Sequence, residues 1–532
     1  MFGWARRHRW FLGVLGVGAA LRAVAMLGYR PALWFPDSYT YVVTALKPRP
    51  DLVRPAGYPM FLRLLEPFHS FALVTLVQHL MGLCVGVLVY LTARRLRAPG
   101  WAATLASAPA LLDAYQIELE HLLVSDTLFG LLVTAAACLG VRRSPGWRTA
   151  CGIGLLLAAA TLTRTVGLPL VAVFAGWLIV RERGRVFLAG VMLAAAAVPV
   201  IGYGAWFYAT HQRIGIVGAN GVFLYAKTMT FADCAVMRPP PDLATLCDPR
   251  PPAKRPPAQE YVWSPDSPLV RRPGITFTRE SDELAARFAS LAIRSQPLDY
   301  LSSVTAELAR SFTLGRPVYP DREIYDYYEF PETRPAPPGR YPAMVGAEFA
   351  RRYEAGPIEP RIVEPYAGWI RAYQSVAGLP GAALLVLLLV PPVVAGAQRL
   401  RAGRPARVSP GTGRTGDPGD VEGTGSTEGT ERPGSTTAPT TGTAPGPTDN
   451  PTNGPVTGPA TGTAVGSVNG PAAVPAAWAL PWAVAATLLV MPPAVAEFDY
   501  RYVLPAVPAA CLAAALSVRK PNFGNIPLNV RT

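Results

Sequence analysis

The chain has 532 residues, of which 50% are hydrophobic and only 16% are charged, and its mean hydropathy is +0.24. This composition excludes a disordered chain and argues against an ordinary soluble enzyme, because the apolar residues form runs near the ~20 residues that span a bilayer. The net charge of +14 would indicate a nucleic-acid partner in a soluble protein. Here the basic residues cluster at the ends of apolar runs, so we expect a lipid bilayer as partner and no nucleic acid.

The apolar runs predict a mainly α-helical, polytopic membrane bundle with about ten transmembrane helices. The runs cover residues 10–27, 71–91, 101–112, 122–141, 151–162, 166–180, 186–207, 377–397, 473–491 and 503–518. Every second run ends in a basic cluster, the first of which contains Arg94, Arg95 and Arg97. This pattern satisfies the positive-inside rule if both termini are cytoplasmic, so we expect a multi-pass protein of the cell membrane.

The remaining segments define the expected domains. An N-terminal membrane module, residues 1–207, carries a first exterior loop at 29–70, and an exterior α-rich domain follows at 208–373. A membrane helix at 374–400 leads to residues 401–472, whose Gly, Thr and Pro content predicts a disordered cytoplasmic linker. A transmembrane hairpin at 473–518 and a cytoplasmic tail at 519–532 complete the chain. Within the exterior domain, a helical pair is expected at 281–295 and 298–312, broken at Pro297.

Two of the six cysteines differ from the others in their surroundings. Cys84, Cys138, Cys151 and Cys511 lie in apolar runs, where cysteine is a small packing residue. Cys234 and Cys247 lie close together in the expected exterior domain, in an oxidising compartment. A disulfide between them is expected, and the alternative is two unrelated cysteines.

Ionisable residues near the expected outer face are the candidates for chemistry. Asp37 follows Pro36 at a predicted helix start, where it either caps the helix or acts in a site. Arg54 opens a second amphipathic stretch and either holds a phosphate by two parallel hydrogen bonds or anchors a lipid headgroup. Arg22, late in the first run, either snorkels to the surface or points inward toward an anion.

Three short exterior turns supply further candidates. Glu118, Glu120, His121 and Asp126 surround the entrance to the fourth run, either as metal ligands or as a solvated rim. The short turn at Arg164 holds that side chain at the bilayer edge, and Arg501 lies in a turn rich in acids and aromatic residues. Arg501 is either a phosphate ligand or part of an aromatic belt with paired charges. The spacing identifies no metal, although a divalent cation is compatible with the acids.

These motifs, in this order, resemble those of the GT-C membrane glycosyltransferases, especially the protein O-mannosyltransferase and aminoarabinose transferase branch. The matching features are an arginine late in the first span, a Pro-Asp-Ser-x-x-Tyr run, an Arg-Pro-x-x-Tyr-Pro run, Ser-Asp-Thr-Leu, Thr-Arg-x-x-Gly and Arg-Tyr-x-Leu-Pro; they begin at Arg22, Pro36, Arg54, Ser125, Thr163 and Arg501. The resemblance covers residues 10–207 and 473–518. Many relatives have two adjacent acids in the first loop, where this chain has Asp37 followed by Ser38.

The resemblance implies an inverting glycosyltransferase that takes a sugar from a polyprenyl-phosphate donor and gives it to a hydroxyl of a glycan, lipid or protein on the exterior side. Asp37 would then be the general base, and Arg22, Arg54, Arg164 and Arg501 would stabilise the leaving phosphate. Glu118, Glu120 and Asp126 are candidates for a second acid. A lipid or sugar transporter, or flippase, and a non-catalytic scaffold remain as alternatives; a transporter predicts functional charges near the midplane and broken helices related by a repeat.

Overall fold

The computed structural model describes residues 2–181, 186–335, 341–402 and 476–518. All of these except Ala402 belong to one compact unit. The predicted cytoplasmic linker at 401–472, apart from its first two residues, and the predicted tail at 519–532 lie outside the described residues.

The first part of the chain is a series of apolar helices joined by short connections. Its elements are α1 (Phe2–Gly28), β1 (Tyr29–Arg30), α2 (Pro36–Leu46), α3 (Gly57–Leu65), α4 (Phe71–Arg95), α5 (Gly100–Leu112), α6 (Ala114–His121), α7 (Asp126–Gly140), α8 (Trp147–Thr163), α9 (Leu168–Arg181) and α10 (Val186–His211). The fourth predicted run, 122–141, becomes helical only at Asp126. Its first residues are extended, and Leu122 forms a parallel bridge with Leu33.

The middle part consists of shorter helices and one strand. Its elements are α11 (Asn220–Thr228), α12 (Cys234–Met237), α13 (Pro241–Ala244), α14 (Glu260–Trp263), α15 (Arg279–Ser295), α16 (Pro297–Arg310), α17 (Arg322–Asp326), α18 (Tyr341–Glu354), β2 (Arg361–Ile362) and α19 (Tyr366–Gln374). The predicted helical pair corresponds to α15 and α16. Pro297 begins α16, because a helix start tolerates the missing N–H of proline.

The last part returns to apolar helices. Its elements are α20 (Gly381–Ala402), α21 (Ala479–Val495), α22 (Tyr500–Val503) and α23 (Val507–Ser517). Their side chains join those of α4, α5, α7, α8 and α9 in one large apolar core, which includes Leu111, Phe174, Leu480 and Leu512. The chain is therefore a mainly helical bundle in which the C-terminal helices pack among the N-terminal ones.

Five helices in the described part of the chain are long and apolar enough to cross a membrane: Arg6–Gly28, Phe71–Arg95, Val186–His211, Gly381–Leu400 and Tyr500–Ser517. Five shorter apolar helices accompany them: Gly100–Leu112, Asp126–Gly140, Trp147–Thr163, Thr165–Arg181 and Ala479–Val495. The mainly helical architecture is thus confirmed, and the apolar helices indicate a membrane environment. The larger count of about ten spans stays a prediction, because helices of 10–17 residues are shorter than the ~20 residues that a straight span needs.

The connections at one end of the bundle pack together, and we call this the loop end. Strand β1, directly after α1, pairs antiparallel with β2, so that Tyr29 lies opposite Ile362. Helix α18 packs closely on α2, because a Cβ on Gly346 would lie only 2.4 Å from the Cβ of Tyr39. The first loop and the middle part therefore form one layer over the loop end of the apolar helices.

Candidate functional site

Six charged side chains from five connections meet at the loop end of the bundle. They come from the start of α2, the loop before α3, the start of α7, the turn after α8 and the segment that leads into α22. We call them the arginine–aspartate cluster: Asp37, Arg54, Asp126, Arg164, Asp499 and Arg501. Residues separated by more than four hundred positions thus share one site.

Asp37 lies between two arginines. Its Oδ1 accepts a hydrogen bond from Nη2 of Arg54, and its Oδ2 lies 3.0 Å from Nη2 of Arg501. The N-cap of α2 is Phe35, whose backbone N–H donates to the Ser38 hydroxyl at 3.0 Å. Asp37 is therefore free of the capping role that the sequence left open, and its carboxylate faces the arginines instead.

The two arginines keep Asp37 ionised. Burial alone would raise the pKa of the Asp37 carboxyl, but the charges of Arg54 and Arg501 and their hydrogen bonds outweigh burial and hold that pKa well below its usual range. Burial and the nearby Asp37 charge raise the pKa of Tyr41 to about 12, so this phenol stays protonated beside the cluster. Its hydroxyl lies 3.3 Å from that of Ser125.

The loop that carries Arg54 is fixed by local contacts. Oδ1 of Asp51 accepts hydrogen bonds from the backbone N–H groups of Val53 and Arg54, both at 2.9 Å. Glycine is required at position 57, because a Cβ there would lie 2.5 Å from the carbonyl oxygen of Leu162 near the end of α8. This close approach places Arg54 beside the turn that carries Arg164.

Arg164 pairs with Asp126 across the ends of α8 and α7. Its Nη1 donates to Oδ1 of Asp126, and its guanidinium carbon lies 4.6 Å from the ring centroid of Tyr502. The other oxygen of Asp126, Oδ2, is buried and has no hydrogen-bond partner. A buried carboxylate oxygen without a partner is unfavourable, so this oxygen is an open position in the cluster.

Arg501 is held by residues of the middle part as well as by its own turn. Its Nε lies 3.1 Å from Oδ2 of Asp499, which also accepts a hydrogen bond of 2.8 Å from the hydroxyl of Tyr328. Its guanidinium lies 4.3 Å from the ring centroid of Phe35. The sequence did not single out Tyr328, since a tyrosine in an irregular segment gives no signal. Asp499 lies only two positions before Arg501, and this proximity could have added it to the site residues expected from the sequence.

The cluster is partly open. The side chains of Asp37, Asp499, Arg164 and Arg54 are 13%, 14%, 17% and 18% exposed. Arginines at this exposure retain access for an anion, and the surrounding rings lower the local polarity, which strengthens charge interactions. The arrangement can bind a phosphate through several guanidinium groups and can hold an ionised carboxylate beside it.

Arg22 lies in a different cluster. All five of its N–H groups donate to protein atoms: two to the Glu120 carboxylate at 2.7 and 2.8 Å, and three to backbone carbonyls of Gly18, Ala110 and Leu111. Because an arginine has five donors, none remains for a phosphate. We therefore leave Arg22 out of the phosphate-binding set that the resemblance implies.

The acids of α6 are also separate from Asp37. Glu120 belongs with Arg22 and accepts from His79 at 3.0 Å, and glycine is required at position 82 because a Cβ there would lie 1.8 Å from the Glu120 carboxylate. Glu118 is buried beside Arg316, and burial raises the pKa of its carboxyl well above its usual range. Of the three acids proposed as a second catalytic group, only Asp126 lies in the arginine–aspartate cluster.

A metal ion does not fit these side chains. Within the ranges that the structure describes, no group of three or more His, Cys, Asp or Glu side chains could hold a metal. Each aspartate of the cluster has at least one oxygen committed to an arginine, and cationic neighbours repel a further cation. We derive no step through a divalent cation.

Cys234 and Cys247 are joined by a disulfide in the structure, with their Cα atoms 6.2 Å apart. The bond ties α12 to the segment after α13, and both cysteines pack against the apolar core of the middle part, with Tyr225, Leu246 and Phe288. The other four cysteines are free thiols.

Comparison with the models of known protein families, with curated proteins and with solved structures gives no match to this chain.

Proposed function

We propose that the chain is a membrane glycosyltransferase that moves a sugar from a polyprenyl-phosphate donor to an acceptor hydroxyl. One observation carries this proposal: the Asp37 carboxylate, held ionised, is shared between Arg54 and Arg501 at the loop end of the apolar helices. A donor with a polyprenyl tail must be met at a membrane, and its phosphate needs cationic ligands. The arginine–aspartate cluster offers both conditions in one place.

The donor phosphate would bind to Arg54, Arg164 and Arg501. In the ligand-free arrangement aspartates occupy these guanidinium groups, so the phosphate competes with Asp37 for Arg54 and Arg501. As the sugar–phosphate bond breaks, negative charge grows on the phosphate oxygens. The arginines therefore stabilise the transition state more strongly than they stabilise the bound donor. Binding of the donor would also release Asp37 from its ion pairs.

Asp37, once released, would act as general base. Its carboxylate removes the proton of the acceptor hydroxyl while the oxygen attacks the anomeric carbon and polyprenyl phosphate leaves. The pKa of Asp37 rises toward its usual range when phosphate takes its arginine partners, which makes the carboxylate a stronger base in the complex. One carboxylate is sufficient for a single displacement with inversion, and a retaining reaction would need a second carboxylate close by, for which Asp126 is the candidate.

The orientation follows from charge. The basic ends of α4, α7 and α9 lie away from the loop end, near Arg95, Val141 and Arg181, as expected for the cytoplasmic side under the positive-inside rule. We infer that the cluster faces the exterior of the cell membrane and that residues 401–472 are cytoplasmic. A Gly425→Cys variant on a cysteine-free background should not react with an impermeant thiol reagent in intact cells. Labelling of this cysteine would contradict the inferred orientation.

The activity is tested by placing the full-length chain in liposomes with polyprenyl-phosphate-linked hexoses or pentoses. We expect a sugar to be released from the lipid or transferred to an acceptor. This activity should be lower in an Arg501→Lys variant. Lipid-linked-sugar profiling of a deletion strain would identify the donor that accumulates. If the chain carried the labelled lipid across the bilayer without breaking the sugar–phosphate bond, the transporter alternative would replace the transferase.

A further inference from the structure

A large cavity lies next to the arginine–aspartate cluster, on the other side of α2. Its volume is about 1020 Å³, and its walls come from the first loop and from the middle part of the chain. This volume is at the upper end of the ~300–1,000 Å³ range of small-molecule sites, so it has room for several sugar rings.

Aromatic rings form much of the cavity wall. The five aromatic lining residues are Trp34, Tyr39, Tyr115, Tyr327 and Phe330. Trp34 and Tyr39 stack with centroids 4.8 Å apart, and the indole N–H of Trp34 donates to the carbonyl of Ile358 at 3.0 Å. Gln374, another lining residue, fixes the backbone at Phe330, because its Oε1 accepts from the backbone N–H of Phe330 at 2.8 Å. Trp34, Tyr39 and Phe330 are buried, with 9%, 4% and 3% of their surface exposed, whereas Tyr115 and Tyr327 are half-buried. These last two rings therefore present the aromatic surface that a ligand can reach.

The charged side chains of the cavity are mostly carboxylates. The acidic lining residues are Glu323, Asp326, Glu329, Glu332 and Glu359, and the basic ones are Arg322, Arg351 and Arg371. The arginines are paired with acids: Arg322 lies 2.8 Å from Asp326, and Arg371 lies 2.6 Å from Glu364. The cavity is thus net acidic, in contrast to the arginine-rich cluster, and electrostatics disfavour a phosphate or another anion there.

Phe35 lies between a residue of the cavity and a residue of the cluster. The ring of Phe35 lies 5.3 Å from that of the cavity residue Tyr327, and Arg501 of the cluster lies 4.3 Å from the same Phe35 ring. On α2, Asp37 and Tyr39 are two positions apart, which turns them about 200° around the helix axis. Asp37 therefore faces the cluster while Tyr39 faces the cavity.

We propose that this cavity binds a neutral oligosaccharide as the acceptor of the transfer. The apolar C–H faces of sugar rings pack on aromatic rings, and sugar hydroxyls donate hydrogen bonds to carboxylates. Charge then sorts the two substrates: the anionic donor goes to the arginines and the uncharged acceptor goes to the acidic cavity, with Asp37 at the border between them. The role as acceptor site rests on the proposed transferase function, whereas oligosaccharide binding itself does not.

The binding test uses the full-length chain in nanodiscs, titrated with mannohexaose, maltohexaose and cellohexaose. We expect at least one of them to bind, with affinity about tenfold weaker in Tyr327→Leu and about fivefold weaker in Glu329→Gln. Leucine at 327 keeps an apolar contact for Phe35. The matched control is Glu348→Gln, the same change at an exposed position outside the cavity, on α18, which should bind as the unaltered chain does.

Several results would overturn the proposal. The first is that none of the three sugars binds. The second is that Glu348→Gln weakens binding as much as the cavity variants do. The third is that oligogalacturonate or oligolysine binds more tightly than the neutral sugars, which would assign the cavity to an anion or to a cationic peptide. An Arg54→Lys variant should bind the donor about tenfold more weakly and keep oligosaccharide binding unchanged. If oligosaccharide binds but no sugar is transferred, only the transferase proposal is refuted. If sugar is transferred and the KM for the acceptor is the same in Tyr327→Leu and Glu329→Gln as in the unaltered chain, only the acceptor site is refuted.

Discussion

Replacing Asp37 by asparagine separates a catalytic base from a structural ion-pair partner. The asparagine keeps the shape of the side chain and removes the charge between Arg54 and Arg501. A general base contributes typically ~10²–10⁴-fold, so kcat should fall by this factor, equivalent to about 3–5 kcal/mol of activation free energy. The KM for the donor should stay constant or fall, because the phosphate no longer competes with a carboxylate for the two guanidinium groups.

Asp37→Asn should lower the free energy of unfolding by less than the loss of one partner of a fully buried ion pair does. Removing one partner of a fully buried pair costs ~3–5 kcal/mol. Here the Asp37 side chain is 13% exposed and Arg501 retains Asp499 at 3.1 Å, so water and a second acid compensate part of the loss. We expect the variant to fold, with a free energy of unfolding lower by roughly 1–2 kcal/mol.

The assay measures sugar transfer per folded molecule in liposomes, with folded protein quantified by gel filtration. Asp37→Glu is the second variant: it keeps the charge but moves the carboxylate by about one methylene, and such a displacement costs a base ~10²-fold. Asp266→Asn, the same change at an exposed position of the middle part, is the matched control and should keep its activity. If Asp37→Glu restored full transfer, or if Asp37→Asn lost activity only in proportion to folded protein, Asp37 would be a structural residue. Asp126 would then be the next candidate.

Three further predictions follow from the same structure. Arg54→Lys and Arg501→Lys should each raise the donor KM about tenfold or more, because lysine cannot hold a phosphate by two parallel bonds; an unchanged KM would remove that residue from the phosphate site. Burial, followed by the Glu307 charge, raises the pKa of Glu497 to about 8 from its usual 4.5. The folded state therefore holds a proton that the unfolded state has lost between these values, and thermal stability in detergent should fall as the pH rises from about 5 to about 8. Glu497→Gln should flatten this slope, and a slope of opposite sign would contradict the reasoning. Cys234→Ser with Cys247→Ser should lower the free energy of unfolding by about 3 kcal/mol, because the disulfide closes a short loop across a sequence separation of 13. Urea unfolding of this variant beside the oxidised unaltered chain tests the prediction, and equal midpoints would disprove it.

Helix positions could be read from the sequence because they depend on local patterns. Each predicted apolar run overlaps a helix in the described residues, and the break expected at Pro297 is the point where α15 ends and α16 begins. Helix lengths were less accessible: the run that was expected from position 122 becomes helical only at Asp126, because Leu122 pairs with Leu33 instead. That pairing is a contact between distant segments, which hydropathy does not encode.

The sequence by itself indicated a membrane environment for this protein and identified the candidate ionisable residues. Apolar runs with basic ends indicate a membrane whatever the packing, since the transfer of such runs from water depends on composition and length. Only the tertiary structure decided which candidates share a site. It joined Asp37, Arg54, Arg164 and Arg501, and it engaged every donor of Arg22 with protein atoms. The physical reason is that the charge environment of a residue depends on its neighbours in space, and the helix packing that brings them together links positions hundreds of residues apart.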